Sequence, residues 1–172
     1  ATANAPLFVG ARPVFAEIEE ETFGLDPQDV EKRITPNTKA ILSIHYAGAP
    51  CKIKELKKIA EKYNLIFIDD AAESLGAKIN NRRLGSFTDA TIFSFCQNKI
   101  ITTGEGGAIV TNSKGIYQRL KLIRSHGRPD VNSYFSSSWK EDYITLGYNF
   151  RISTFQAALG ISQLRKISKI IQ

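Results

Sequence analysis

Two periods of hydrophobicity alternate along this chain. Apolar, β-prone runs occupy residues 14–18, 40–45, 65–68 and 90–95, with turn residues between them. A further run at 108–111 reads as a neighbour, antiparallel or parallel, of the strand at 90–95. Between these runs the period lengthens to that of a helix. Residues 24–33 open one, with Asp26 at the N-cap and Pro27 at the first helical position, where a missing N–H costs nothing. Residues 53–63 place Ile53, Leu56, Ile59 and Ala60 on one helix face, and residues 114–125 form another helix. Residues 153–170 read as one long helix capped by Ser153, with Gln156 in the capping-box place. The Ser-rich stretch 133–138 reads as a surface loop.

Strands that alternate with helices predict a mostly parallel sheet covered on both faces, a three-layer α/β arrangement. Ligands of such sheets bind beyond the carboxyl ends of the strands. Three strands here end in polar residues: His45, the pair Asp69 and Asp70, and the segment from Ser94 to Lys99. Their convergence predicts one site.

Composition narrows the class. The chain has 172 residues, 42% hydrophobic and 23% charged, which suits a single globular domain. No apolar run approaches the roughly 18 residues of a membrane span, and no leader pattern opens the sequence, so a cytoplasmic protein with no membrane partner is expected. Cys51 and Cys96 make no disulfide framework, and with two histidines far apart they predict no metal cluster. The net charge of +6 raises the question of nucleic acid. Its densest group, Lys52, Lys54, Lys57, Lys58 and Lys62, fits the solvated face of the helix at 53–63, and no aromatic interleaving accompanies it, so no nucleic-acid partner is expected. With no methionine and an opening of Ala1-Thr2-Ala3-Asn4-Ala5, the chain reads as a fragment or a trimmed piece.

Candidate chemistry centres on Lys99. The run Phe93-Ser94-Phe95-Cys96-Gln97-Asn98-Lys99 delivers it to the mouth of a Thr/Gly loop, residues 102–107. A lysine on a solvated helix is a protonated, poor nucleophile, whereas one desolvated at a strand end can form a Schiff base. Lys99 alone of the fourteen lysines has that setting. Such an amine serves amino-group chemistry when it holds a pyridoxal ring, whose nitrogen then needs a carboxylate against it. Asp70 or Asp69 stands at a strand end to supply one. The competing reading makes them caps of a following helix at 71–75. Ser94 is placed to donate to a phosphate, and the backbone of Thr102, Thr103 and Gly104 to form part of an anion nest.

At these residues the chain resembles a known family. Ile68-Asp69-Asp70-Ala71-Ala72-Glu73-Ser74-Leu75-Gly76-Ala77, the Ser94 to Lys99 run with its Thr/Gly loop, and Gly147-Tyr148-Asn149-Phe150-Arg151 with Gln156-Ala157-Ala158 are similar to the DegT/StrS family of pyridoxal-phosphate-dependent nucleotide-sugar aminotransferases. So are Ala1 to Ala5, Gly10-Ala11-Arg12-Pro13-Val14-Phe15, and Ile34-Thr35-Pro36-Asn37-Thr38-Lys39-Ala40-Ile41, so the likeness runs from end to end and in order. It implies a type I aminotransferase fold, with residues 1–172 a partial large cofactor domain running into the helix that leads to a small domain. It implies a homodimer with shared active sites, and transfer of an amino group from glutamate to a keto-deoxysugar on a nucleotide.

By position, Lys99 matches the lysine that forms the Schiff base and moves the proton between the donor's Cα and the cofactor's C4′. Asp70 matches the carboxylate on the pyridine nitrogen, and Ser94 a phosphate ligand. Asn149 matches a residue that reaches the phosphate of the partner subunit's cofactor. Glu73 falls where many members carry glutamine near the ring hydroxyl, and a carboxylate cannot donate to a phenolate as an amide does. His45 and Arg151 are candidates for the substrate side. The family's aromatic ring over the cofactor and its Gly-Thr phosphate turn are expected before Ala1, and its small domain after Gln172.

One branch of the family replaces the lysine with histidine and dehydrates sugars; Lys99 favours transamination. A non-catalytic regulator or binding protein on the same scaffold is the alternative, and loss of Lys99 or Asp70 would favour it. A dinucleotide-binding domain needs Gly-x-Gly-x-x-Gly directly after a strand, and the glycine group 104–107 lacks that spacing.

Overall fold

The computed structural model describes residues 1–129 and 143–172. The predicted loop at 133–138 lies outside the described residues. Four strands form the main sheet: β1 (Ala40–Ile44), β2 (Ile66–Asp70), β5 (Ala90–Ser94) and β6 (Gly107–Val110), in the order β1-β2-β5-β6. The first three are parallel and β6 runs antiparallel to β5, which settles the orientation of the 108–111 run. Between β2 and β5 the chain makes a two-residue hairpin, β3 (Lys78–Ile79) and β4 (Arg82–Arg83). Its tip, Asn80 and Asn81, has φ of +48° and +63°, the left-handed turn that asparagine tolerates.

Helices α1 (Pro27–Arg33) and α2 (Ile53–Lys62) cover one face. Asp26 caps α1 as its position predicts, accepting from Gln28 N at 2.9 Å, with Pro27 at the first helical position. The predicted face of α2, Ile53, Leu56, Ile59 and Ala60, is buried against Ile41, Phe67 and Phe93 of the strands. Each large apolar side chain so buried contributes about 2 kcal/mol. The opposite face carries the lysines, and acidic partners meet several of them: Lys52 with Glu19 (3.3 Å), Lys57 with Glu61 (3.9 Å) and Lys62 with Glu31 (2.7 Å). The Thr22 hydroxyl, then the backbone amides of Glu21 and Thr22 and last Lys52, hold Glu19 down at about 2.

Three predicted elements come out differently. Residues 14–18 form no strand: Ile18 makes a single bridge to Leu25, and Val14 and Phe15 are exposed. Among the described residues no strand runs alongside them, and an extended segment needs a ladder to satisfy its backbone. Residues 71–75 form turns rather than a helix, closed by Ser74 N to Ala71 O at 3.0 Å. The long helix at 153–170 is two pieces, α4 (Thr154–Leu164) and α5 (Ile167–Ile170), broken at Arg165 and Lys166. Its capping box is in place, with Ser153 Oγ accepting from Gln156 N and Gln156 Oε1 from Ser153 N. The remaining helix, α3 (Lys114–Arg124), is capped by Ser113. No helix among the described residues is long and apolar enough to cross a membrane.

Candidate active site

The parallel strands β1, β2 and β5 end at one edge, and the register decides what faces where. Ser43 pairs with Asp69 and Asp69 with Thr91; Ile44 pairs with Asp70 and Asp70 with Ile92. Paired residues share a face and neighbours alternate. Ser43, Asp69 and Thr91 therefore point into the core, where all three are fully buried. Asp70 points to the other face, together with Ser94, two residues beyond Ile92.

Lys99 follows on a loop whose base is closed on β5. Phe95 N donates to Gly106 O and Thr103 N to Phe95 O, both at 2.9 Å, while Ile101 plugs the core from below. The glycines are needed for this closure. Gly106 has φ +152°, and a Cβ on Gly107 would come within 2.8 Å of the Phe93 carbonyl. A turn closed by Lys99 N to Cys96 O at 3.1 Å then projects the lysine. Its Nζ lies 3.5 Å from Glu73 Oε1, and Glu73 Oε2 accepts from Ala47 N at 3.0 Å. Ala47 has φ +50°, an unusual conformation for alanine, in the short turn Tyr46–Gly48. The carboxylate of Glu73 thus uses its acceptor capacity on a backbone amide and the lysine amine. A cleft of about 420 Å³ lies beside the pair, lined by Tyr46, Ala47, Ala72, Glu73, Leu75, Asn98, Lys99 and Ile100.

Asp70 accepts from Ala72 N at 3.1 Å through Oδ1 and from the Thr2 hydroxyl at 2.5 Å through Oδ2. The likeness at residues 1–5 assigns Thr2 no role, and only the fold brings it 68 positions along the chain to this carboxylate. Ser94 Oγ accepts from Cys96 N at 3.3 Å, which leaves its own proton free to donate. The expected nest is not available: Thr103 N is bonded to Phe95 O and Gly104 N to Thr102 Oγ1 at 2.9 Å, so those amides are turned inward.

His45 is not on the substrate side. It is fully buried, with Nδ1 accepting from Cys51 N at 3.0 Å. The neutral ring then carries its proton on Nε2, which stands 3.2 Å from Asp69 Oδ2 but out of good hydrogen-bond alignment. Ser43 donates to the other oxygen of Asp69. Cys51 completes this group. Its thiol is pushed up to about 12, by burial first and then by the negative charge of Asp69. The histidine, cysteine and aspartate each have a ligand atom within 4.8 Å of the others. Spacing along the sequence did not disclose this grouping, because it considered cysteines and histidines without the aspartate on β2. Both histidine nitrogens, both carboxylate oxygens and the thiol face one another or other protein groups.

Asn149 and Arg151 are positioned by α3. Asn149 is exposed and bridges Ser125, and the Arg151 guanidinium donates to Ser125 Oγ at 3.4 Å.

The strand ends of this mostly parallel α/β sheet thus carry a carboxylate and a hydroxyl, with a lysine on the loop that follows. The chain belongs to the DegT/DnrJ/EryC1/StrS aminotransferase family, whose model matches residues 1–172. It is 38% identical over 169 residues to GDP-perosamine synthase of Caulobacter vibrioides, covering 98% of this chain and 44% of that protein. Among solved structures it is similar to PseC of Helicobacter pylori, an aminotransferase of pseudaminic acid biosynthesis, with TM-score 0.89 and 39% identity over 98% of this chain and 44% of that one. It is also similar to the PLP-form of Spr1654 of Streptococcus pneumoniae, with TM-score 0.86 and 27% identity over 96% of this chain and 46% of that one. The chain spans less than half the length of these relatives.

Proposed function

We propose that the protein to which this chain belongs is a pyridoxal-phosphate-dependent aminotransferase that moves an amino group from glutamate to a keto group of a nucleotide-linked deoxysugar. One observation carries this reading: Lys99, Asp70 and Ser94 sit at the carboxyl ends of adjacent strands, each with the chemical capacity its role demands. Asp70 has about four acceptor sites and fills two, leaving capacity for a ring N–H. Ser94 has an unused proton for a phosphate oxygen. Lys99 reaches the edge of an open cleft, with its amine steadied by one carboxylate.

Pyridoxal phosphate, when bound, supplies the electron sink that lets an amino group leave one carbon for another. The chain's own residues do the rest. Asp70 orients the ring through its nitrogen, and Ser94 holds the phosphate end. Lys99 would hold the cofactor through Nζ, and the same amine, when free, would carry a proton between donor and cofactor. Glu73 gives the released amine a fixed resting place. Asn149, on the exposed segment along α3, serves the partner subunit of a homodimer with shared sites, and Arg151 beside it serves the substrate.

The test uses the full-length protein with added pyridoxal phosphate, followed by its visible absorption. The wild type is expected to show a bound-cofactor band that glutamate bleaches, and Lys99→Ala to lack that band. A band that survives Lys99→Ala removes Lys99 from its role, and a band that glutamate leaves intact removes glutamate transamination. A panel of nucleotide-linked keto sugars, scored for return of the band, then identifies the acceptor.

A further inference from the structure

Among the described residues, the Thr2 hydroxyl makes a side-chain hydrogen bond to Asp70 that joins distant parts of the chain. The backbone of Asp70 is held from both sides, since its carbonyl accepts from His45 N at 3.2 Å and Ala71 N donates to Ile92 O at 2.9 Å. Those bonds fix where the side chain starts. They do not fix the plane of the carboxylate, whose terminal torsion is broad. The plane is set by two donors on two oxygens: Ala72 N–H on Oδ1 and the Thr2 hydroxyl on Oδ2. Remove either and the group swivels about the other.

Thr2 is itself well held. The Ala1 carbonyl accepts from Asn4 N at 2.9 Å and Ala5 N at 3.1 Å, closing a turn around it. Its β-branched side chain has little freedom at χ1. The choice of group also matters. A lysine or arginine at this position would steady the carboxylate too, but would bring a cation to compete with a protonated ring nitrogen. A hydroxyl supplies one directed hydrogen bond and no charge, and leaves acceptor sites on both carboxylate oxygens.

We infer that Thr2 is a positioning residue for Asp70, fixing the carboxylate plane in which it meets the ring nitrogen of the cofactor. This rests on the proposed function above. It assigns the first turn of the chain a share in cofactor binding.

The experiment compares full-length wild type, Thr2→Val and Thr2→Ser. Valine keeps the shape and branching and loses the donor; serine keeps the donor. Three quantities are read: the dissociation constant for pyridoxal phosphate by titration of the apo protein, the pH titration of the bound cofactor's visible band, and the urea midpoint of the apo protein. Thr2→Val is expected to bind the cofactor about tenfold more weakly, the effect of one hydrogen bond to a charged group. It is also expected to shift the band's pH titration, with the apo urea midpoint unchanged. Thr2→Ser is expected to restore both cofactor readouts to within about twofold. A Thr2→Val protein that binds and titrates like wild type overturns the inference, as does a loss that serine does not rescue or that merely follows a lower urea midpoint. The two proposals fail distinguishably. Wild type that takes up no cofactor overturns both, whereas wild type that does so beside an unaltered Thr2→Val overturns this one alone.

Discussion

On β2 the pleat sends Asp69 to one face of the sheet and Asp70 to the other, and the two faces have become different kinds of environment. Asp69 lies under α2 among Ser43, His45 and Cys51, closed from solvent. Asp70 lies on the face with Ile44, Ile92 and Ser94, whose apolar members remain partly exposed in this chain. The inner face packs its polar groups together away from solvent, and the outer face keeps acceptor and donor capacity in reserve. Identical side chains one residue apart are thereby committed to structure and to chemistry.

Exchanging the damage is the strongest way to break this contrast. Asp69→Ala leaves the Ser43 hydroxyl buried without its acceptor, which costs about 1–3 kcal/mol, and removes the carboxylate that stands 3.2 Å from His45 Nε2. The expected loss is about 3 kcal/mol in urea unfolding of the full-length protein. Asp70→Ala removes a half-buried carboxylate whose donors can turn to water, so its expected loss is about 1 kcal/mol or less, with the bound-cofactor band abolished. Equal loss of stability in the two variants would show that the faces are not specialised.

Cys51 sharpens the picture of the inner face through pH. Its thiol ionises near 12 in the folded protein, against an ordinary 9.0. Between those values the unfolded chain has released the proton that the folded protein still holds, so stability falls as pH rises through the window. Cys51 therefore contributes a slope of about 1.4 kcal/mol per pH unit once pH passes the ordinary value. Cys51→Ser, which carries no titrating group there, is expected to be less stable at neutral pH and to close the gap to wild type at about that slope. Parallel stability curves for the two proteins would place Cys51 in a wetter setting than the structure gives it.

What the sequence disclosed follows the same division. The strands β1, β2 and β5 were legible because each is a short apolar run, and α2 because its four apolar residues keep a helical spacing. The placing of Asp70 and Ser94 at strand ends, with Lys99 on the loop beyond, was legible because strand ends in a parallel sheet converge. His45 was misplaced, since a strand-end histidine looks the same from either side until the register turns it inward to Asp69 and Cys51. The amides of Thr103 and Gly104 were misread for a related reason: loop closure on Phe95 and Thr102 claims them first. Thr2 lies in a segment singled out by its likeness, residues 1–5, but its contact with Asp70 was not legible, because that partner is remote in sequence and the residue type is ordinary. The break at Arg165 and Lys166 had no glycine or proline to announce it.

The smallest expected effect concerns how the outer site is tied to the helix beyond it. Gln156 does two things at once: Oε1 closes the capping box on Ser153 N at 3.0 Å, and Nε2 donates to Glu105 O at 2.7 Å. The second bond fastens α4 to the loop that carries Lys99, next to the strained Gly106. Replacing Gln156 with alanine removes both bonds at a half-buried position, for an expected cost of about 1 kcal/mol. That cost should fall on the loop rather than on the core. In hydrogen exchange of the full-length protein, the Thr103 and Phe95 amides, which close the loop base, are expected to exchange about fivefold faster, while those of β1 and β2 keep their rates. Uniform acceleration across the sheet would mean that Gln156 supports the fold as a whole. Acceleration confined to the loop would mean that the lysine's platform opens locally, on the face that keeps its chemistry in reserve, while the inner face stays closed.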